Sequence, residues 1–287
     1  MSGLDLVTPE LLRGWRLPDP ASSKKARGQV IVIGGAARTP GGVALAGLAA
    51  LRVGAGHVQL AVAASVAPAL AAGFPEAGVI SLPHTESGTI RGSAAAEACA
   101  EAVAGADAVL VGPGLDDADE AAALLEGLLP HVDAEAALVL DAYSLGVLPD
   151  FKQVLKGRGA PAVLTPNGNE LGRLLERDVE PEHDDVVEAA REYASCVTAQ
   201  AMIADPEGRR WRVPSGHSGL ATAGSGDVLA GLVVGLLARS ADPAQAACWG
   251  TYLHSMAGER LASTIGEVGF LARELVDEVP AVLAELS

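Results

Sequence analysis

Aromatic side chains make up only 3% of the 287 residues, and cysteine occurs three times. With so few rings the core has to be built from small aliphatic side chains, and 34 glycines beside an alanine-heavy apolar set point to close backbone packing. Cys99, Cys196 and Cys248 are an odd number at wide spacing with no CxxC, which argues against a disulfide framework and a zinc site. Three buried apolar thiols in a reducing cytoplasm are expected. Basic residues are scarce too: 20 Lys and Arg face 36 Asp and Glu, a net charge of −16. Such a chain repels phosphate backbones and anionic membranes, so neither nucleic acid nor membrane is an expected partner. A small anionic ligand remains compatible, because backbone N–H groups bind phosphate locally. The start MSGLDLVTPELLRGW has no basic stretch leading into an apolar one, and no uncharged apolar run reaches ~18 residues. A soluble, cytoplasmic protein is the expectation.

Several enzyme signatures are missing as well. GGAARTPGG, from Gly34 to Gly42, lacks the GxGxxG spacing of a dinucleotide fingerprint, and no GxSxG elbow occurs. His57, His84, His131, His183, His217 and His254 show no metal-ligand spacing and read as surface residues or helix caps, with His254 and Tyr252 packing in a helical tail. The acidic runs at 116–120 and 180–185 read as solvated loops and helix starts.

What is present is an alternation of short β-branched runs and alanine-rich helices, 49% of the chain being hydrophobic. Residues 1–27 read as a polar lead-in with a short helix from Thr8-Pro9-Glu10, then turn chemistry at Pro18, Pro20 and Lys24-Lys25. Val30 to Ile33, ended by Gly34-Gly35, reads as a buried strand, followed by a helix over 41–53 and a strand over 58–62, a parallel β-α-β unit. The pattern continues with strands at 78–82, 108–111, 137–140 and 162–164, and helices at 93–104, 118–130, 170–176 and 184–194. A β-hairpin is expected from 201–204 and 210–213 across Asp205-Pro206-Glu207-Gly208, and helices at 226–239, 243–262 and 269–286. Residues 28–287 therefore read as one α/β domain with a central, mainly parallel sheet and helices on both faces.

Polar residues collect where strands end: Asp141 after 137–140 and Thr165-Pro166-Asn167 after 162–164, the edge at which open α/β sheets bind ligands. The sharpest local signal is Ala221-Thr222-Ala223-Gly224-Ser225-Gly226-Asp227, directly ahead of an apolar helix. Glycines at 224 and 226 let several N–H groups point at one spot, where the helix adds its positive dipole end. Asp227 beside this anion hole is placed to accept a proton from a substrate hydroxyl during phosphoryl transfer. A plain helix cap in a glycine loop explains the same residues on local chemistry alone.

The segment GLATAGSGDVLAGLVVGLLA resembles the anion-hole motif of the ribokinase-like superfamily, in the form found in ADP/ATP-dependent NAD(P)H-hydrate dehydratases. In that family's order follow GQVIVIGGAARTPGGVALAGLAALRVGAG at 28–56, FPEAG at 74–78, VLVGPGL at 109–115, LVLDAYSL at 138–145, LTPNGNEL at 164–171, IADPEG at 203–208 and ACWGTYLHSMAGE at 247–259. The resemblance covers about residues 24–286 and implies a three-layer α/β/α sandwich. It implies transfer of phosphate from ADP, or ATP in some members, to the ring hydroxyl of (S)-NAD(P)H-hydrate, followed by loss of that phosphate, with Mg²⁺ as cofactor.

Carried over by residue, Asp227 matches the base, and Gly224, Ser225 and Gly226 match the anion hole. Gly42 matches a substrate-contacting alanine, Gly112 to Gly114 a loop abutting the substrate, and Asn167 a position near the nicotinamide. Thr198, Ala199, Gln200, Ala201 and Met202 match the stretch holding the nucleotide's phosphate and ribose, and Glu170 an acid that helps organise magnesium. Three positions depart from the pattern: Asn167 replaces a histidine, Tyr143 a second strand-end acid, and Thr198-Ala199 a Lys-Gly pair. The family further implies a separate epimerase acting in the same pathway and a homo-oligomer. A ribokinase-like small-molecule kinase and a non-catalytic nucleotide-binding relative stay open at this point.

Overall fold

The short β-branched runs assemble into one ten-stranded sheet, and the helices between them cover both of its faces. The computed structural model describes residues 3–19, 23–216 and 218–286; Pro20 and His217 lie outside the described residues. In chain order the elements are β1 (Leu4–Leu6), α1 (Pro9–Gly14), β2 (Gln29–Ile33), α2 (Gly41–Arg52), β3 (His57–Ala63), α3 (Ala67–Gly73), β4 (Gly78–Leu82) and α4 (Gly92–Ala104). Then come β5 (Ala108–Val111), α5 (Ala118–Leu128), β6 (Ala137–Leu140), α6 (Tyr143–Val147), α7 (Lys152–Arg158), β7 (Ala162–Leu164), α8 (Gly168–Leu174) and α9 (His183–Tyr193). The chain closes with β8 (Cys196–Ala199), β9 (Met202–Ala204), β10 (Arg210–Arg212), α10 (Ser225–Ala238), α11 (Pro243–Thr264) and α12 (Ala272–Leu286).

The strand order is β1-β10-β9-β8-β7-β6-β5-β2-β3-β4, and only β9 runs against its neighbours. Strand side chains alternate between faces, so Val30 and Val32 of β2 pack under α2, α10, α11 and α12 while Ile31 and Ile33 pack under α4, α5 and α9. Two hydrophobic layers follow, built from Ala, Val and Leu as the dearth of aromatics requires. The close packing expected of the glycines is clearest between α2 and α10. A Cβ built on Gly231 would lie 2.3 Å from the Ala46 carbonyl oxygen, and one on Gly235 would lie 2.8 Å from that of Ala50. The two helix backbones therefore touch, which fixes the first turn of α10 relative to that of α2. Cys99, Cys196 and Cys248 are buried and free, in line with the reading of three apolar thiols.

The N-terminal stretch is more than a polar lead-in. Thr8 does cap α1, its hydroxyl accepting from Leu11 N–H at 3.2 Å, but Leu4–Leu6 also joins the sheet edge parallel to β10, and Val7 and Leu12 are fully buried. Three residues are too few to display a strand period, so the pairing is supplied by β10 rather than announced locally. The hairpin over 201–213 forms, as β9 against β10. β9 also pairs antiparallel with β8 through a two-residue turn, Gln200-Ala201, whose φ angles are +47° and +65°. Such turns favour glycine or asparagine, so neither residue advertises it. The helices α3, α6 and α7 are five to seven residues long, below the length at which a helical period is readable.

Candidate active site

Strands β2 and β5 are neighbours, yet β3 continues on one side of the pair and β6 on the other, which makes their carboxyl ends a topological switch point. The two loops leaving there are tied backbone to backbone. Gly35 N–H donates to the Pro113 carbonyl and Ala36 N–H to that of Gly114, both at 2.8 Å, and the Thr39 hydroxyl donates to the same Gly114 oxygen at 2.8 Å. A Cβ at Gly34 would sit 2.0 Å from the Pro113 oxygen, so glycine is required for this approach. Gly114, with φ of +68°, is packed against Thr39 and Gly35, which makes it a brace of the first glycine loop.

The tied loop delivers α2 with Gly42 in its first turn, opposite α10. A Cβ on Gly42 would meet the Asp227 carboxylate, 2.7 Å from Oδ1, so the absence of a side chain at 42 makes the room that Asp227 occupies. On α10, Gly224 adopts φ of +88° as N-cap and Asp227 falls in the first turn. Among the described residues, the N–H groups of Gly224, Gly226 and Asp227 have no backbone acceptor, whereas Ser225 N–H is spent on the Thr222 carbonyl at 3.1 Å. A Cβ on Gly226 meets nothing within 4 Å, so the space in front of these donors is open. Ser225, expected in the anion hole, thus has its N–H engaged within the turn. Its N–H closes the turn and its buried hydroxyl pairs with His254 Nε2 at 2.8 Å, so Ser225 anchors the hole to α11. Burial pushes the His254 imidazole down to about 4, which keeps it neutral.

Three carboxylates converge beside this opening. Burial, then the charge of Glu170, pushes Asp227 up to about 6, into the range of a general base working near neutral pH. Asp141, at the end of β6, is 4% exposed and is raised to about 8 by burial and then by the charge of Asp227, while the Thr165 hydroxyl donates to its Oδ1 at 2.7 Å. Glu170 is also raised, by burial, against the opposing N–H of Asn167. The backbone around Asp141 is unusual: Ala142 takes φ of +51° and ψ of −124°, a glycine conformation, and Gly112 must lack a side chain because a Cβ would lie 1.8 Å from the Asp141 oxygen.

Asn167 and Glu170 cap α8 reciprocally. The Asn167 side-chain oxygen accepts from Glu170 N–H at 3.0 Å and a Glu170 oxygen accepts from Asn167 N–H at 2.9 Å. One oxygen of each is thus engaged locally. Gln200, expected in the nucleotide stretch, brings its amide within 3.1 Å of a Cβ built on Gly168, so the β8–β9 turn sits against the start of α8. Thr198 is placed otherwise than expected: it is 1% exposed and its hydroxyl pairs with that of Thr251 at 2.8 Å, under α11. Strand alternation turns the side chain of residue 198 into the layer between sheet and helix. Ala199 and Met202 are buried as well, which leaves the Gln200-Ala201 turn as the exposed part of this stretch. Tyr143, standing for the second acid, is 44% exposed.

A family model described as NAD(P)H-hydrate dehydratase matches residues 30–281. The chain belongs to this family. It is 44% identical to the ADP-dependent (S)-NAD(P)H-hydrate dehydratase of Xanthomonas campestris, over 98% of this chain and 96% of that one. It is 36% identical to the bifunctional NAD(P)H-hydrate repair enzyme of Moorella thermoacetica, of which it spans 51%. The ADP/ATP-dependent NAD(P)H-hydrate dehydratase of Bacillus subtilis, co-crystallised with ATP and Mg²⁺, superposes with a TM-score of 0.80 at 27% identity, covering all of both chains. A ribokinase-like superfamily protein of Enterococcus faecalis, at 24% identity and a TM-score of 0.81, shares the fold. The fold thus sets Gly42 against Asp227 and brings Asp141, Glu170 and Asp227 within reach of one another's charge, from elements far apart in the chain. The residues read poorly from sequence are those whose role depends on a partner: Ser225 on His254, and Asp141 on Asp227 and Glu170.

Proposed function

We propose that the protein is an ADP-dependent (S)-NAD(P)H-hydrate dehydratase, restoring NAD(P)H from its hydrate. The observation that carries this reading is the Asp227 carboxylate, raised to about 6, in the first turn of α10 beside the N–H groups of Gly224 and Gly226, which among the described residues have no backbone acceptor. Asp227 takes the proton of the ring hydroxyl as that oxygen attacks the terminal phosphorus of the nucleotide. The bond from phosphorus to the leaving oxygen breaks, and the N–H groups of 224, 226 and 227 stabilise the charge on the transferring phosphoryl group. Phosphate then departs with the electron pair of its carbon–oxygen bond, the adjacent ring carbon gives up a proton, and the ring double bond is restored. Asn167 offers its amide NH₂ toward the substrate, and the Gln200-Ala201 turn offers backbone groups to the nucleotide. The intact base and anion hole favour a dehydratase over a non-catalytic relative.

Magnesium belongs to the same proposal. Burial raises all three carboxyls; the charges of Asp227 and Glu170 further raise Asp141, and that of Glu170 further raises Asp227, a build-up of negative charge that suits a cation. Among the described residues no three His, Cys, Asp or Glu side chains form a metal-binding group; Glu170 would help hold an ion bound mainly by nucleotide phosphates and water. When bound, Mg²⁺ neutralises phosphate charge. Cytoplasmic residence, a homo-oligomer and a separate epimerase supplying the (S) epimer complete the reading; among the described residues no helix is long and apolar enough to cross a membrane. The test is incubation with hydrated NADH, Mg²⁺ and either ADP or ATP, following absorbance of the reduced nicotinamide. Recovery with ADP is expected; no recovery with either nucleotide overturns the reading, and a stable phosphorylated product assigns a small-molecule kinase instead.

A further inference from the structure

At the opposite end of the sheet, where α10 finishes, a cavity of about 330 Å³ is lined by four arginines, Arg16, Arg27, Arg52 and Arg239. Such a cluster stands out in a chain of net charge −16 with 20 basic residues in all. Two carboxylates stand at its edge: Asp19 in the lining and Asp277, which pairs with Arg52 at 2.7 Å. Among the described residues, Arg16, Arg27 and Arg239 have no carboxylate within ion-pairing distance, the only such pair in the cluster being that of Arg52. Arg239 donates to the carbonyls of Val53 at 2.6 Å and Pro18 at 3.3 Å, and its guanidinium is depressed by burial and then by the charge of Arg27. The C-terminal ends of α2 and α10 account for a cation at 239. They do not account for Arg27, whose Nε is buried with no hydrogen-bond partner. Two guanidinium groups lining one cavity, with no carboxylate paired to either among the described residues, are costly, and a phosphate is the ligand whose oxygens match their planar, multi-donor forks.

We propose that this cavity is a second binding site, for a phosphate-bearing anion held by Arg27 and Arg239. It is separate from the anion hole: α10 spans 14 residues, about 20 Å, between the two, so occupancy of one leaves the other free. The proposal does not depend on the reaction assigned above.

The experiment is an NMR titration of the arginine Nε–H and backbone N–H signals, with inorganic pyrophosphate in one arm, ADP in a second and sodium chloride of matched ionic strength in a third. Saturable movement of the Arg27 and Arg239 signals with pyrophosphate is expected, and movement with ADP alone assigns a nucleotide rather than a free oligophosphate. Arg27→Gln should weaken this binding by about tenfold to 100-fold, the loss of one charge-assisted contact, while the Gly224 and Gly226 amides still respond. Arg27→Lys, which keeps the charge but loses the fork, should fall between. Signals that move no further than in chloride, or that respond equally in Arg27→Gln, overturn the proposal.

Discussion

Replacing Asp227 by asparagine should remove turnover and at the same time stabilise the fold. The carboxylate is held at about 6 against an ordinary 3.8, because burial and the nearby Glu170 disfavour its charged form. For a raised carboxyl group the penalty is absent below the unfolded value, sets in as pH rises past 3.8 and is complete above about 6. Each unit corresponds to about 1.4 kcal/mol, so the two units or so displaced here amount to roughly 3 kcal/mol, of which partial solvent access leaves about 1–3 kcal/mol. Asparagine keeps the shape and carries no charge, so Asp227→Asn should match the wild type near pH 4 and exceed it by that margin near pH 7. Urea unfolding of both proteins across this pH range, without nucleotide or Mg²⁺, measures the gap directly. Turnover of hydrated NADH should fall by about 10²–10⁴-fold. A gap that does not change with pH, a variant less stable than wild type at neutral pH, or turnover that persists would refute the reasoning, since each removes the link between the buried charge and the base.

Three further outcomes follow from the same geometry. Glu170→Gln keeps a side chain able to cap α8 but removes the charge that helps raise Asp227, so the acid limb of the kcat/KM profile should move to lower pH; an unmoved limb would show that Glu170 does not act on the base. Ala142→Gly relieves a non-glycine residue held at φ of +51° and should raise stability by about 1 kcal/mol in thermal or urea unfolding, with activity retained. Thr198→Lys restores the charge that the family pattern carries, yet residue 198 is 1% exposed and its hydroxyl is paired with Thr251. It should therefore destabilise the protein by several kcal/mol through a buried unpaired ammonium and leave ADP affinity, read by calorimetry, no tighter.

Strands and helices with a full period of their own were readable in advance because the signal lies within the segment: Val30-Ile31-Val32-Ile33 closed by two glycines is a buried parallel strand whatever surrounds it. The Leu4–Leu6 strand and the Gln200-Ala201 turn were not, since the first depends on β10 and the second on β8 and β9 being held three-dimensionally into pairing. The site divides along the same line. Gly224-Ser225-Gly226-Asp227 ahead of an apolar helix announces an anion hole, because glycine freedom and a helix start are local properties. Which N–H groups remain available is decided by where each is spent, and Ser225 loses its own to Thr222, a turn closed within the motif but visible only in the folded backbone. Thr198 makes the converse point: its place in a family motif suggested a phosphate contact, and a strand's two-residue period turned it toward α11 instead. Chemical type is thus legible from the residue alone, but its direction is set by packing. The same packing, Gly231 against Ala46 and Gly42 against Asp227, is what sets Asp227 at the start of α10 against α2. Small residues in this chain accordingly position Asp227 as well as filling the core, and the scarcity of aromatics is consistent with helices that must approach to backbone contact.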